Sequence, residues 1–365
     1  MLIEELKYAI KLNLLQGIGH IAAKKLIAYC GGVEAVFKEK KGALLKVPNI
    51  GEKVVNNIFK SDHSKRVEEE LSFMEENNIQ AHFYLDKTYP QRLTHCEDAP
   101  ILLFSKGKMD LNAQKMIAVV GTRNATVKGK KYCEQIIEDL VIHEPTIISG
   151  LAYGIDIVAH KVALHNNLKT IGVLASGLDD LYPKSHYNIA QEMLLKGGLV
   201  SDYLSSTKIR PSNFVERNRI VAGMVDAVVV IESSEKGGSL ITADLANGYH
   251  RDVFAVPGRI DDLQSVGCNQ LIKNNKAALI ESAADIEYLL GWEKEEVKKV
   301  IQPELFVNLK EEERSIMDLL KEGEAKLLDD LALEARLSIS VTSVHMFNLE
   351  LKGLVKSLPG KVYQR

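Results

Sequence analysis

Residues Ala227 to Ile231 form an unbroken, valine-rich apolar run, and the next punctuation in the chain is Gly237-Gly238-Ser239. An apolar run without alternation belongs to a strand covered on both faces, as inside a parallel sheet. A helix-compatible segment starts near Leu240, and a second apolar run, Val253 to Val256, ends at Pro257-Gly258. The unit reads as strand, glycine turn, helix, strand. In sheets of this kind ligands sit at the carboxyl ends of the strands, where loops feed helix N-termini. A Gly-Gly-Ser turn at that place bares backbone N–H groups suited to phosphate.

The same alternation runs from Met116 to about Leu290. Further candidate strands are Met116–Val120, Thr146–Ser149, Thr170–Leu174, Leu199–Ser201 and Ala278–Ile280. Between them lie helical patterns, such as Tyr132, Ile136, Ile137 and Leu140 on one face. The expected fold class is α/β, an extended Rossmann-like, doubly wound, mostly parallel sheet. A chain of 365 residues also has room for flanking domains. We divide it into a small all-helical domain over 1–80, the sheet domain over 81–292, a charged linker over 293–308 and a C-terminal domain over 309–365.

In the helical part, Leu15-Gln16-Gly17-Ile18-Gly19-His20 and Val47-Pro48-Asn49-Ile50-Gly51 resemble helix-hairpin-helix turns, as in SAM-like domains. Either these turns offer amides and Lys24, Lys25 or Lys53 to DNA phosphates, or their glycines only cap helices. Residues 62–78 read as one polar helix. Ala81 to Leu85 reads as a short strand and Ile101 to Phe104 as an edge strand. The C-terminal domain shows three helices, near Glu311–Leu320, Leu327–Ala335 and Val341–Leu351, then a hairpin around Pro359-Gly360. Val344, Phe347 and Leu351 share one face of the third helix, which stops at Gly353. That is the pattern of a winged helix, with an oligomerisation or docking domain as the alternative.

Net charge is −3, so a site for a polyanion has to be a local patch. The four cysteines are far apart, which argues for free thiols in a cytoplasm over a disulfide frame or zinc site. No apolar run approaches the ~20 residues of a membrane span, and the first residues lack a signal-peptide layout.

Four strand-end loops could carry chemistry. Gly121-Thr122-Arg123 lacks a G-x-G-x-x-G fingerprint, which disfavours nicotinamide and flavin cofactors. It does place Arg123, a bidentate phosphate binder, beside a glycine. Ser149-Gly150 opens the second loop, which continues to Asp156 and His160. These two are i, i+4 and form either an acid–base pair or, the favoured reading, a helix-start cap. In the third loop Lys184 points either to the same mouth or to solvent. In the fourth, on a helix starting near Phe214, Phe214, Arg217 and Asn218 share a face, whereas Arg219 is roughly 200° away from Arg217. We expect Phe214 to stack on a base, with burial in the core as the alternative, Arg217 or Asn218 to hold the adjoining backbone, and Arg219 to pair internally. Lys208 and Arg210 would widen the patch. No metal-ligand cluster, Walker-A lysine or strand-turn-helix serine is present, so the residues describe a binder more than a hydrolase.

Taken in order, Gly121-Thr122-Arg123, GLAYGIDIVAH (150–160), GLDDLYP (177–183), FVERNRIVAG (214–223), EKGGSLITA (235–243) and DVFAVPG (252–258) resemble the DNA-processing protein A family, DprA/Smf. So do Gly267, Asn269 and Leu271-Ile272-Lys273. The resemblance implies a non-enzymatic protein without cofactors that acts in natural transformation. Such a protein binds and protects incoming single-stranded DNA, loads the RecA recombinase onto it, and works as a homodimer through its Rossmann-like domain. It also implies a DNA pocket at Gly121, Thr122, Arg123, Ser149, Gly150, Lys184, Phe214, Arg217, Asn218, Gly237, Gly238, Ser239 and Lys273. The chain departs from many members at Val215, where they carry proline, and Glu216 adds a negative charge. The competing reading is a nucleotide phosphoribohydrolase-like enzyme with a P-G-G-x-G-T-x-x-E signature. Here no proline precedes Gly237-Gly238, Ala243 stands where the glutamate would fall, and Asp244 comes one residue late.

Overall fold

The computed structural model of the chain describes residues 2–60, 62–292, 309–321, 325–358 and 360–365. These divide into two units, one ending at Trp292 and one beginning at Glu293. The stretch expected as a linker, 293–308, and Pro359 of the expected hairpin lie outside the described residues.

The first unit opens with helices α1 (Ile3–Leu14), α2 (His20–Cys30), α3 (Val33–Lys38), α4 (Lys41–Leu44), α5 (Glu52–Lys60) and α6 (Ser64–Glu76). The turn between α1 and α2 is possible because Gly17 takes φ +82°, a conformation L side chains rarely adopt. Leu12, Leu26, Val36 and Val55 are fully buried, and their cluster continues into Phe83, Leu102 and Phe104 of the following strands. The helices therefore share one core with an edge of the sheet. Lys24 donates to the carbonyls of Cys96 and Glu97 at 3.3 and 3.1 Å, so this candidate phosphate ligand ties the helices to the sheet unit instead. Lys25 and Lys53 are exposed.

Next come β1 (Gln80–Phe83), α7 (Gln91–Thr94), β2 (Leu102–Gly107), β3 (Met116–Val120), α8 (Val127–Asp139), β4 (Thr146–Ser149), α9 (Ile155–His165) and β5 (Thr170–Val173). They are followed by α10 (Tyr187–Lys196), β6 (Gly198–Ser201), α11 (Pro211–Gly223), β7 (Ala227–Val230) and α12 (Gly238–Gly248). The unit closes with β8 (Asp252–Ala255), α13 (Val266–Lys273), β9 (Ala278–Leu279) and α14 (Ala283–Leu289). The sheet order is β1-β2-β6-β5-β4-β3-β7-β8-β9. Pairing is parallel from β6 through to β9, and β1 and β2 join antiparallel. Residues 101–104 do not form an edge strand: β2 is paired on both sides, and β1 is the edge.

Both faces of the parallel strands are covered, as their apolar runs require. Ala118, Val120, Val228 and Val230 pack with Ile220 and Val221 of α11 and Ala243 of α12. The alternate residues Ile117, Val119, Ala227 and Val229 pack with Ile136 of α8 and Ala159 of α9 on the other face. The chain winds outward from β3 to β6 and then returns to place β7 against the other side of β3. The mouth between β3 and β7 is thus the topological switch point, where such sheets bind ligands.

Arg219 leaves its helix inward, pairing with the Asp202 carboxylate and donating to the Asp98 carbonyl at 2.6 Å. His20 of α2 lies 3.6 Å from the same carboxylate. Burial opposes the charge on Asp202, but Arg219 and His20 outweigh it and hold the carboxyl below its ordinary range.

The second unit contains α15 (Glu311–Leu319), β10 (Ala325–Leu327), α16 (Leu328–Glu334), α17 (Ile339–Leu351), β11 (Lys356–Leu358) and β12 (Val362–Gln364), with sheet order β10-β12-β11. Three helices and this small antiparallel sheet make a winged helix. Its core takes Ile316, Leu331, Met346 and Leu349. Val344, Phe347 and Leu351 do share a face of α17, but it is the outer one, with Phe347 58 % exposed.

A depressed carboxyl contributes stability that is present above its unfolded pKa of about 4 and lost as pH falls through its folded value. Asp202→Asn is therefore expected to cost most at neutral pH, with the gap to wild type narrowing below about pH 4. Urea denaturation of both proteins across that range measures it.

Candidate nucleic-acid interface

Three loops meet at the switch point. The loop after β3 carries Gly121, Thr122 and Arg123, the loop after β4 carries Gly150 and Ala152, and the loop after β7 leads into Gly237, Gly238 and Ser239. Together with Phe214, Arg217 and Asn218 of α11 they line one cavity of about 460 Å³. The loops can approach only because glycine stands at the crossings. A Cβ on Gly121 would lie 2.5 Å from the Ile155 side chain, and one on Gly150 would lie 1.9 Å from Nη1 of Arg217. At the Gly237 end Ser239 Oγ donates to Ser233 Oγ at 2.9 Å, while Gly238 faces open space.

The loop after β3 is held from below by Glu232, the second residue past β7. Its carbonyl accepts the Thr122 N–H at 2.8 Å, and its buried carboxylate accepts the Thr126 N–H at 2.9 Å and the Thr126 hydroxyl. Thr126 in turn caps α8 by accepting the Gly129 N–H at 2.9 Å. A carboxylate at a helix N-terminus is favoured by the helix dipole. Glu232 is thus an anchor for Arg123 and not a negative charge in the cavity.

The helix bearing Phe214 starts at Pro211, a turn earlier than its sequence suggests, because proline suits the first helical turn. Phe214 is half-buried, with Tyr182 edge-on at 5.6 Å and the Arg123 guanidinium over its ring at 5.2 Å. Arg123 is exposed and takes the place beside the ring where Arg217 or Asn218 was expected. Asn218 sits at the wall, its amide 3.4 Å from the Gly238 carbonyl. Arg217 is only 3 % exposed and donates to the Val173 carbonyl at 2.6 Å, which places its guanidinium at the back of the cavity. Its Nε has no acceptor among the described residues. Burial lowers the Arg217 guanidinium below its ordinary value and raises the Asp156 carboxyl, and each group counters the shift of the other.

Asp156 sits in the first turn of α9, but instead of capping it, as favoured from sequence, it accepts N–H groups from Gly150 and Ala152 at 3.1 and 3.4 Å and braces the preceding loop. His160 is fully buried, with Nδ1 2.7 Å from the Thr170 hydroxyl, and burial pushes it down to about 3. It stays neutral and does not line the cavity.

Three of the residues put forward from sequence stand outside the cavity lining. Ser149 is completely buried, donating to the Val119 carbonyl at 2.6 Å, because the strand alternation turns it into the sheet. Lys184 and Lys273 are exposed and are not part of the lining. The lining residues that sequence reasoning passed over include Tyr182 and Thr242, whose types carry no charge or glycine signal. Asp244, the acid nearest to the hydrolase signature, is on the surface, 2.8 Å from Lys276.

The two arginines are expected to separate in stability. Arg217→Ala leaves the buried Val173 carbonyl without its donor and Asp156 without a nearby positive charge, a loss of about 1–3 kcal/mol, whereas Arg123→Ala at the rim stays within about 0.5 kcal/mol of wild type. Equilibrium urea unfolding of both variants reads the difference.

Residues 80–291 match the family described as DNA recombination-mediator protein A, and residues 306–361 match the DprA winged helix domain. Protein Smf of Synechocystis sp. is 30 % identical over 99 % of either chain. DNA processing protein DprA of Streptococcus pneumoniae is 42 % identical over 55 % of this chain and 71 % of its own. The X-ray structure of that protein superposes with a TM-score of 0.67 at 33 % identity, covering 77 % of this chain and 97 % of the other. A structure of DNA processing protein A from Helicobacter pylori, described for its single-stranded DNA binding mode, gives 0.53 at 27 % identity over 59 % of this chain and 96 % of its own. A Rossmann-like sheet with this switch-point cavity, joined to a winged helix and matched along most of its length, identifies the chain as a member of the DprA/Smf family of DNA-processing proteins.

Proposed function

We propose that the chain binds single-stranded DNA at the mouth between β3 and β7, protects it, and loads a RecA recombinase onto it during natural transformation. The observation that carries this reading is the pairing of Arg123 with the Phe214 ring beside open glycine turns. An aromatic face accepts any base, and a guanidinium beside it accepts the phosphate that follows. The buried Arg217, with an Nε lacking an acceptor, adds positive potential behind the site. The same function is consistent with the single-stranded DNA binding described for the Helicobacter pylori relative.

The cavity lends this reading further support against the phosphoribohydrolase alternative, since Asp244 is turned to Lys276 on the surface. Asp156 lines the cavity but is occupied with two backbone N–H groups. In our reading the protein works without catalysis or cofactor, as a cytoplasmic homodimer through the Rossmann-like domain. Lys184 and Lys273 extend the track beyond the cavity, and Ser149 supports it from behind.

Arg123→Ala is expected to weaken binding of a single-stranded oligonucleotide and reduce the slope of log K against log salt by about 0.7. A slope equal to wild type in a fluorescence-anisotropy titration would remove Arg123 from the interface. Phe214→Ala is expected to cost about 1–3 kcal/mol of binding through lost stacking. Calorimetry of the folded variant settles whether the ring reaches a base. The loading step is read as the rate of RecA assembly on single-stranded DNA, which the wild-type chain should raise and Arg123→Ala should not.

A further inference from the structure

The loop after β3 is a ridge between two hollows. On one side lies the cavity already described. On the other a cleft of about 570 Å³ opens against α8 and α9, and Arg123 lines both. The ridge is locked to its neighbour. Gly154 takes φ +78°, a Cβ there would stand 2.1 Å from the Thr122 carbonyl oxygen, and that oxygen accepts the Ile155 N–H at 3.3 Å.

Tyr153 stands on the far side of this ridge and is 47 % exposed. Its ring meets that of His186 edge-on at 5.0 Å and 72°, and its hydroxyl accepts from Ser185 at 3.2 Å. His186 is itself buried, with Nδ1 2.9 Å from the Leu151 carbonyl. An exposed aromatic ring is therefore held in place by one buried neighbour, His186, and by a hydrogen bond from the exposed Ser185. Lys130 from α8 and Lys161 from α9 line the same cleft, and neither has an ion-pair partner among the described residues. With Arg123 they make three positive charges against the single acid of the lining, Glu134.

Ring, guanidinium and open cations repeat on this side what Phe214 and Arg123 provide on the other. A polynucleotide has the matching repeat, a base and a phosphate at every step, and stacking on an exposed ring is indifferent to which base it is. We propose that the cleft is a second nucleotide subsite. It takes the next stretch of a single-stranded DNA held in the first cavity, with a base on Tyr153, phosphates at Lys130 and Lys161, and Arg123 at the crossing. This rests on the single-stranded DNA reading of the first cavity and extends it past the ridge.

The test uses the full chain and labelled oligothymidylates of about four and about twelve nucleotides, a range typical of single-strand sites. Wild type should bind the longer one more tightly. Tyr153→Ala should weaken the longer one roughly 5- to 150-fold, the equivalent of one stacked base. The double variant Lys130→Ala, Lys161→Ala should reduce its salt slope by about 1.4, near 0.7 for each phosphate contact. Both variants should bind the short oligonucleotide as wild type does, which also shows that they are folded. Wild-type affinity and slope for the longer oligonucleotide in both variants would overturn the second subsite and leave the first standing. Equal losses on both lengths would overturn it as well. If wild type binds neither length, the reading of the first cavity falls and takes this inference with it.

Discussion

A guanidinium buried to 3 % exposure is the constraint from which the rest of the site follows. Removing a cation from water costs several kcal/mol unless close partners offset it. Arg217 has the Val173 carbonyl at the end of β5 and the Asp156 carboxyl as countercharge. Asp156 in turn gathers the N–H groups of Gly150 and Ala152. One charge thereby sets the distance between α11, β5 and the loop after β4. Phe214 stands one turn before Arg217 on the same helix, so its position is fixed by a residue that barely reaches the surface.

The complementary wall is fixed by an opposite charge. Glu232 follows the β7 strand and reaches across the switch point to Thr122 and Thr126, fastening the loop after β3 to the start of α8. A Cβ on Gly129 would fall 2.1 Å from that carboxyl carbon, so the helix can approach only because glycine stands there. Arg123 and the backbone donors beside it are thus mounted on a loop with few degrees of freedom. Such preorganisation reduces the ordering cost of binding.

Much of this arrangement could be read from the residues. Valine-rich runs without alternation announced strands covered on both faces, and every expected strand from Met116 onward has a counterpart within about two residues. The glycine turns and the inward course of Arg219 were legible because both follow from local geometry, one from backbone freedom and the other from helical spacing. What could not be read was set by distant contacts. Residues 101–104 looked like an edge because one of the strands that cover them, β6, comes from far along the chain, and no local pattern announces that pairing. Ser149 and Arg217 have the composition of binding residues, and only the sheet around them shows that one is sealed and the other lies at the back. The apolar face of α17 follows helical spacing, yet the core chose the neighbouring face through Met346 and Leu349. Spacing identifies residues that share a side but not the side that is covered.

The contact between Arg123 and Phe214 has a consequence for what the mouth will admit. With the guanidinium resting over it, the ring is not left as a bare greasy plate, and an apolar side chain from another protein would have to displace a cation without replacing its attraction. An occupant that is flat at one end and anionic at the next can satisfy ring and cation together. Under the single-stranded DNA reading proposed above, this pairing favours an occupant that alternates base and phosphate over one carrying only one of them.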